Sequence, residues 1–191
     1  MSFAERWSEG GEALVVFPLK ALRQTGLDGK SAVFLQETGL PDSAAPFLSF
    51  GLSRDGSLPT AAQQWCLSEE FSHYRVVGSN GAGDPVCVDE ANGRVVYLNH
   101  DCGFEAVFIN SSLASLAECL LEYRRLVDDT VVLGGPQAYL DGNVPENAIA
   151  YLESAIGEID RLALGTDTFW ESEIERLRAD AQEFRSRSYE S

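Results

Sequence analysis

Between Tyr74 and Asn110 the chain alternates four short runs rich in β-branched and aromatic residues with three stretches suited to turns. This alternation limits the fold more than any other feature. The runs are YRVVG, DPVCVDE, GRVVYLN and EAVFIN, separated by Ser79-Asn80-Gly81-Ala82-Gly83, by Ala91-Asn92-Gly93 and by Asp101-Cys102-Gly103. Connections this short join antiparallel neighbours, because a parallel pair needs a crossover of about a dozen residues or more. The pattern predicts a four-strand antiparallel meander. Asn92-Gly93 predicts a two-residue hairpin turn, since both residues tolerate the positive φ that such turns require.

The flanking segments read mainly as helix. Leu14 to Phe17 predicts a strand closed by Pro18, and LKALRQTGL a short helix with Leu19, Leu22 and Leu27 near helical spacing. Lys30 to Thr38 predicts a helix that stops at Gly39, where glycine takes a left-handed cap, and Pro41 blocks its resumption. PFLSFGLS, residues 46 to 53, predicts a strand; residues 54 to 68 read as a loop with room for a short helical turn. After the meander, Ser111 or Ser112 caps a helix to about Val127, with Leu113, Leu116, Leu120, Tyr123 and Val127 on one stripe. Pro145 introduces a second helix, lined by Ile149, Leu152, Ile156, Ile159 and Leu162. Thr168-Phe-Trp-Glu171 resembles a capping box that opens a third, with Ile174, Leu177 and Phe184 facing inward. Contiguous strands between helical segments predict an α+β fold: an antiparallel β-meander sheet covered by helices, with additional C-terminal helices. The 191 residues, 45% of them hydrophobic, suffice for one core. Residues 1–133 read as an α+β domain and 134–191 as a helical extension packed on it.

Thirty acidic residues against fourteen basic ones give a net charge of -16, spread along the whole chain. Such a surface repels phosphate backbones and anionic headgroups, which argues against nucleic acid and membrane as partners, and it suits a basic protein partner. No apolar window reaches transmembrane length, and MSFAERWSEGGEALVVF has acids where a signal peptide needs a basic and then an apolar run, so the expected location is cytoplasmic. Cys66, Cys87, Cys102 and Cys119 form no CxxC pair and read as reduced thiols, mostly packed in the core. No cofactor or metal is expected.

Several local patterns carry possible chemistry. Gly78 to Gly83 matches neither phosphate-binding glycine spacing and reads as a hairpin connection. His100-Asp101-Cys102 groups three catalytically capable side chains, but neighbours in an extended segment point to opposite faces, so a turn with an ordinary histidine is the better reading. His73, just before a strand, reads as surface or packing. Glu69-Glu70, Asp89-Glu90 and Asp128-Asp129 are acid pairs whose default is solvated surface; Glu69, Glu70, Asp89 and Glu90 are the first candidates for contact with a basic partner. Asn110-Ser111-Ser112 fits a glycosylation sequon but reads as a strand-to-helix junction. Of Trp7, Trp65 and Trp170, at least two are expected in the core.

The helix ending at Gly39-Leu40-Pro41, the strand PFLSF, the segment VVGSNGAGDPVCVDEANGRVVYLN and FINSSLASLAECLLEY together resemble the SUKH superfamily, especially its fourth immunity-protein group, over roughly residues 14 to 127. The resemblance implies an α+β fold of bacterial origin. It also implies binding to toxins, often nucleases or deaminases, by protein contact without an enzymatic centre, at a surface that varies with the toxin. Gly39, Asp84 to Asp89 and Asn110-Ser111-Ser112 would then be structural landmarks. An intracellular regulatory scaffold or adaptor of the same superfamily is the alternative function. A hydrolase or transferase built on His100 and Cys102 would require both in one concave pocket.

Overall fold

The computed structural model describes residues 1–189. Its elements are α1 (Phe3–Ser8), β1 (Leu14–Val15), α2 (Leu19–Leu22), α3 (Gly29–Glu37), β2 (Leu40–Pro41), β3 (Ser43–Ala44), β4 (Leu48–Phe50), α4 (Ala61–Trp65), β5 (Tyr74–Ser79), β6 (Pro85–Asp89), β7 (Val95–Asn99), β8 (Glu105–Asn110), α5 (Leu113–Gly134), α6 (Glu146–Ile159) and α7 (Phe169–Tyr189). The fold is α+β, as expected. The meander is longer than the four predicted strands: β3 and β4 extend it to six, in the order β3-β4-β5-β6-β7-β8 with every pair antiparallel. β1 and β2 form a separate two-stranded ribbon.

Alternation along the strands sorts their side chains onto two covered faces. Val77, Val86, Val88, Val95 and Ile109 face the main core with α5, α6 and α7. Val76, Cys87, Val96 and Leu98 face a smaller core closed by Ala61 of α4 and by Phe71 and Phe104. Central strand β6 is buried at all five positions, which is why PVCVD reads as a continuous apolar run rather than an alternating one.

Local chemistry explains where elements begin and end. Ser112 caps α5 by accepting the Ser115 N–H, and Thr168 Oγ1 accepts the Glu171 N–H at the start of α7. α3 ends as predicted. Gly39 has φ 78°, and a Cβ there would lie 2.3 Å from the Val15 carbonyl oxygen, so only glycine lets the ribbon close. Trp7 and Trp170 are fully buried; Trp65 is partly exposed.

Four expectations are corrected. α5 continues beyond Val127 to Gly134, because Leu126 and Thr130 prolong its buried stripe, whereas Asp128 and Asp129 sit outside and pair with Arg124 and Arg125 one turn earlier. The β6–β7 connection runs over five residues, 90 to 94, rather than two. The Asp89 carboxylate accepts the Ala91 N–H at 2.9 Å and the Asn92 amide at 2.7 Å, which stabilises a longer loop with only Gly93 at positive φ. Cys87 and Cys119 are buried but Cys66 and Cys102 are exposed. Leu162 also faces solvent, because α6 ends at Ile159 and a short 3-10 turn rotates it outward.

Residues of α5, α6, α7 and the sheet share one hydrophobic core. A buried polar junction crosses it. The Asn110 amide, at the end of β8, donates to Asp160 Oδ2 at 3.2 Å and accepts the Trp170 indole N–H at 2.9 Å, while Asp160 also receives the Ser111 N–H at 2.6 Å. Replacing Asp160 by Ala strands the Asn110 and Ser111 donors, and the expected loss of stability in urea denaturation is about 3 kcal/mol. Glu158→Ala, at a neighbouring exposed position, should change it by no more than about 0.5 kcal/mol.

Candidate interaction surface

The four acids singled out from the sequence lie at one end of the β5–β6 pair. Glu69 and Glu70 are exposed on a 3-10 turn, Glu69–Phe71, whose Phe71 packs into the smaller core. Three residues later β5 begins, with Tyr74 opposite Asp89 in register, and the His73 carbonyl accepts the Glu90 N–H at 2.8 Å. The second pair is not simply solvated. Asp89 is buried and shapes the β6–β7 turn, with the His73 ring 4.0 Å away. Glu90 Oε1 accepts from Arg75 Nε and from the Gly26 N–H, both at 2.7 Å. Arg75 also donates to the Leu58 carbonyl at 2.6 Å. Thus a strand arginine, 8% exposed, is the counter-charge that Glu90 serves. Sequence reasoning missed it, although a lone base inside an apolar strand run is a signal that some acid must meet it.

Beside this edge runs an open groove of about 720 Å³ between the start of α3, the β6–β7 turn and the start of α5, lined among others by Lys30, Glu90, Asn92 and Ser112. Its walls are stiffened from within. Asp28 Oδ1 caps α3 by accepting the Lys30 and Ser31 N–H groups at 2.7 and 3.0 Å, and these bonds, led by the one from Ser31, hold the Asp28 carboxyl below the usual carboxylate range against the opposing effect of burial. A Cβ on Gly93, φ 76°, would sit 2.8 Å from Asp28 Oδ2, so glycine is what lets the turn approach α3. The arrangement is a polar edge on which Glu69 and Glu70 are the exposed acids.

The His100-Asp101-Cys102 segment is a 3-10 turn rather than an extended strand. The His100 ring Nδ1–H donates to buried Asp84 at 2.5 Å, and Nε2 lies 3.4 Å from Asp101 Oδ1, so both ring nitrogens are taken up by carboxylates. Trp65 stacks on the ring at 6.3 Å between centroids. The loop from Asn80 to Asp84 is the expected hairpin connection, with Asn80 Oδ1 accepting the Ala82 and Asp84 N–H groups. Among the described residues no group of three or more His, Cys, Asp or Glu is placed to hold a metal ion. No helix among them is long and apolar enough to cross a membrane.

An antiparallel meander packed with helices defines an α+β architecture. The chain matches the model of the SUKH-4 immunity protein family over residues 4–176, from α1 well into α7, and it belongs to that family. The match reaches beyond residues 14 to 127 of the sequence resemblance and takes in α6 and the start of α7. No curated protein and no solved structure matches the chain.

Two outcomes follow from this geometry. Glu90→Ala leaves Arg75 buried without its counter-charge and should cost about 3–5 kcal/mol by chemical denaturation, whereas Glu69→Ala and Glu70→Ala should each stay within about 0.5 kcal/mol. The second concerns pH. The hydrogen bond to Asp84 raises the His100 imidazole above its ordinary value, more than burial lowers it. At Asp84 burial acts upward, but the bonds from the His100 N–H, the Asn80 amide and the His100 ring outweigh it and hold the carboxyl low. The histidine's contribution to stability is therefore fully present below about pH 6.5 and fades as pH rises through its raised value; the aspartate's is present above about pH 4 and lost in acid. Denaturation midpoints of wild type and His100→Gln should differ most just below about pH 6.5 and converge as pH rises through the histidine's raised value.

Proposed function

We propose that the chain is an immunity protein that neutralises a cognate bacterial toxin by binding it and covering its active or substrate-binding surface, without a reaction of its own. Membership of the SUKH-4 immunity family over residues 4–176 carries this reading. The net charge of -16 supports a basic toxin, such as a nuclease or deaminase, because complementary potentials speed encounter and reject wrong partners. It also disfavours nucleic acid and anionic membrane as direct partners. A toxin of this kind acts inside the bacterial cell, which puts the encounter in the cytoplasm.

The contact face proposed is the edge bearing Glu69, Glu70, Asp89 and Glu90. The two exposed glutamates meet basic groups of the toxin, and the other two acids set the shape of the β6–β7 turn that docks beside them. The immobile backing matters: side chains already ordered in the free protein lose little entropy on binding.

Growth protection tests the reading. Cells expressing a candidate toxin, such as the toxin-like product of any neighbouring gene, should survive when this chain is co-expressed, and the purified toxin domain should bind it. Glu69→Lys with Glu70→Lys should slow association at low salt by about tenfold or more, with the difference shrinking as salt is raised. Unchanged association in the folded variant would move the contact face elsewhere, and absence of protection by the wild-type chain would end the immunity reading.

A further inference from the structure

A second surface is built by the loops at one end of the six-stranded sheet, where β4, β6 and β8 begin and β5 and β7 end. The tip between β3 and β4 carries Phe47, and the β5–β6 loop lies against it at Gly81, where a Cβ would be 2.9 Å from the Phe47 Cβ. Asn80 of the same loop donates to Asp84 Oδ2 at 2.8 Å, and Asp84 Oδ1 accepts the His100 backbone N–H at 2.9 Å. The loop is thereby tied to the β7–β8 connection. Trp65, the last residue of α4, stacks on the His100 ring and meets Phe104 edge-on at 5.4 Å. A row of contacts thus runs from Phe47 to Phe104.

Backbone strain gathers at this end. Among the described residues four that are not glycine have positive φ, and three of them, Phe47 at 57°, Cys66 at 53° and Phe104 at 65°, belong to the row or directly follow Trp65. A bulky side chain in that region crowds its own backbone, and such positions cluster where they serve a site. Phe47 gains little in return within the chain, since it is 65% exposed. The charge here is of one sign. Residues 43–53, 60–74, 76–93 and 95–123, which build this end, contain no lysine or arginine. The Asp101 carboxylate, 84% exposed, pairs only with the His100 ring, and exposed Glu105 has no ion-pair partner among the described residues. His100, the one histidine at this end, lies between Asp84 and Asp101, so its charge is offset when it is protonated. These acids are free to meet a cation, and a second copy of this chain would set them against themselves.

We infer that this loop end anchors the toxin: Phe47 enters an apolar pocket of a basic toxin surface, and Asp101 and Glu105 meet lysines or arginines around that pocket. The ring is held in position before the partner arrives, so little order has to be imposed on binding. The inference rests on the immunity reading but not on contact at Glu69 and Glu70. The two surfaces are joined from within, since Phe71 of the Glu69–Phe71 turn lies 6.1 Å from Phe104. One toxin can span both.

The test uses the full chain and the purified domain of a toxin from which it protects cells. Phe47→Asn removes the anchor and puts a residue that tolerates positive φ in its place, so the thermal midpoint should hold or rise. Toxin affinity should nevertheless fall by about tenfold or more, mainly through faster dissociation. A role confined to folding gives the opposite, a lower midpoint with unchanged affinity. Glu105→Lys should slow association at low salt, with less effect as salt is raised. Hydrogen exchange in the complex should slow at residues 45–48, 80–84 and 100–105. Protection by the wild type together with unchanged affinity of Phe47→Asn would overturn the surface while leaving immunity standing. No protection by the wild type against the candidate toxins would remove the immunity reading and the occupant together. A wild-type dimer in toxin-free solution that Phe47→Asn dissolves would assign the surface to a second copy instead, which would also overturn the proposal.

Discussion

Asn110 occupies the point where the sheet ends and the helices begin, and the arrangement of the helical layers depends on how its amide is satisfied. The residue is fully buried, with its nitrogen bonded to Asp160 and its oxygen to the Trp170 indole. Asp160, in turn, takes the Ser111 backbone N–H at the last step before α5 is capped. Three separate segments, the β8 exit, the end of α6 and the start of α7, are thereby held to one another inside an apolar core. A carboxylate in such a place is tolerated only because donors surround it, and those donors exist only if all three segments arrive together. A second buried network repeats the device further along. Glu173 of α7, itself buried, accepts from the Tyr123 hydroxyl of α5 and pairs with Arg176, while the Tyr123 and Tyr139 hydroxyls lie 2.8 Å apart. The neighbouring carboxylate and burial push the Tyr123 phenol far above its ordinary range, with burial the larger cause. It stays a neutral donor.

The same contrast organises the surface. A net charge of -16 describes the total, not the groups free to meet a partner. Asp28, Asp84, Asp89, Glu90, Asp160 and Glu173 are consumed by caps, turns and buried pairs. What remains outward includes Glu69 and Glu70.

Much of the fold was legible in the sequence because its signals are local. The β-rich runs from Tyr74 to Asn110, the glycine stop of α3, the Ser112 cap and the Ile149–Leu152–Ile156 stripe each depend on residues within one or two turns of themselves. The failures occurred where a distant or unexpected partner took over. The β6–β7 connection lengthened because the Asp89 side chain bonds inside it and Asp28 lies against Gly93. α5 ran on past Val127 because two acids that look like a boundary are its outer face. Strand β3 is too short to show a period and becomes a strand only by pairing with β4, which lies within the strand predicted over residues 46 to 53 and pairs with the edge of β5.

The candidate surface was legible only as a set of residues. The sequence determined by itself that the chain is strongly acidic, that a glycine-punctuated meander lies between helical segments, and that the order of elements resembles an immunity-protein family. These are matters of composition and short-range pattern. Only the tertiary structure decided that Glu90 belongs to Arg75, that Glu69 and Glu70 are exposed, and that Val132 and Leu133 form a groove with Tyr151. Whether a charge is solvated or paired, and whether an apolar side chain is buried or displayed, depends on segments dozens of residues away. Adjacency in the chain carries no record of which distant segment supplies the partner.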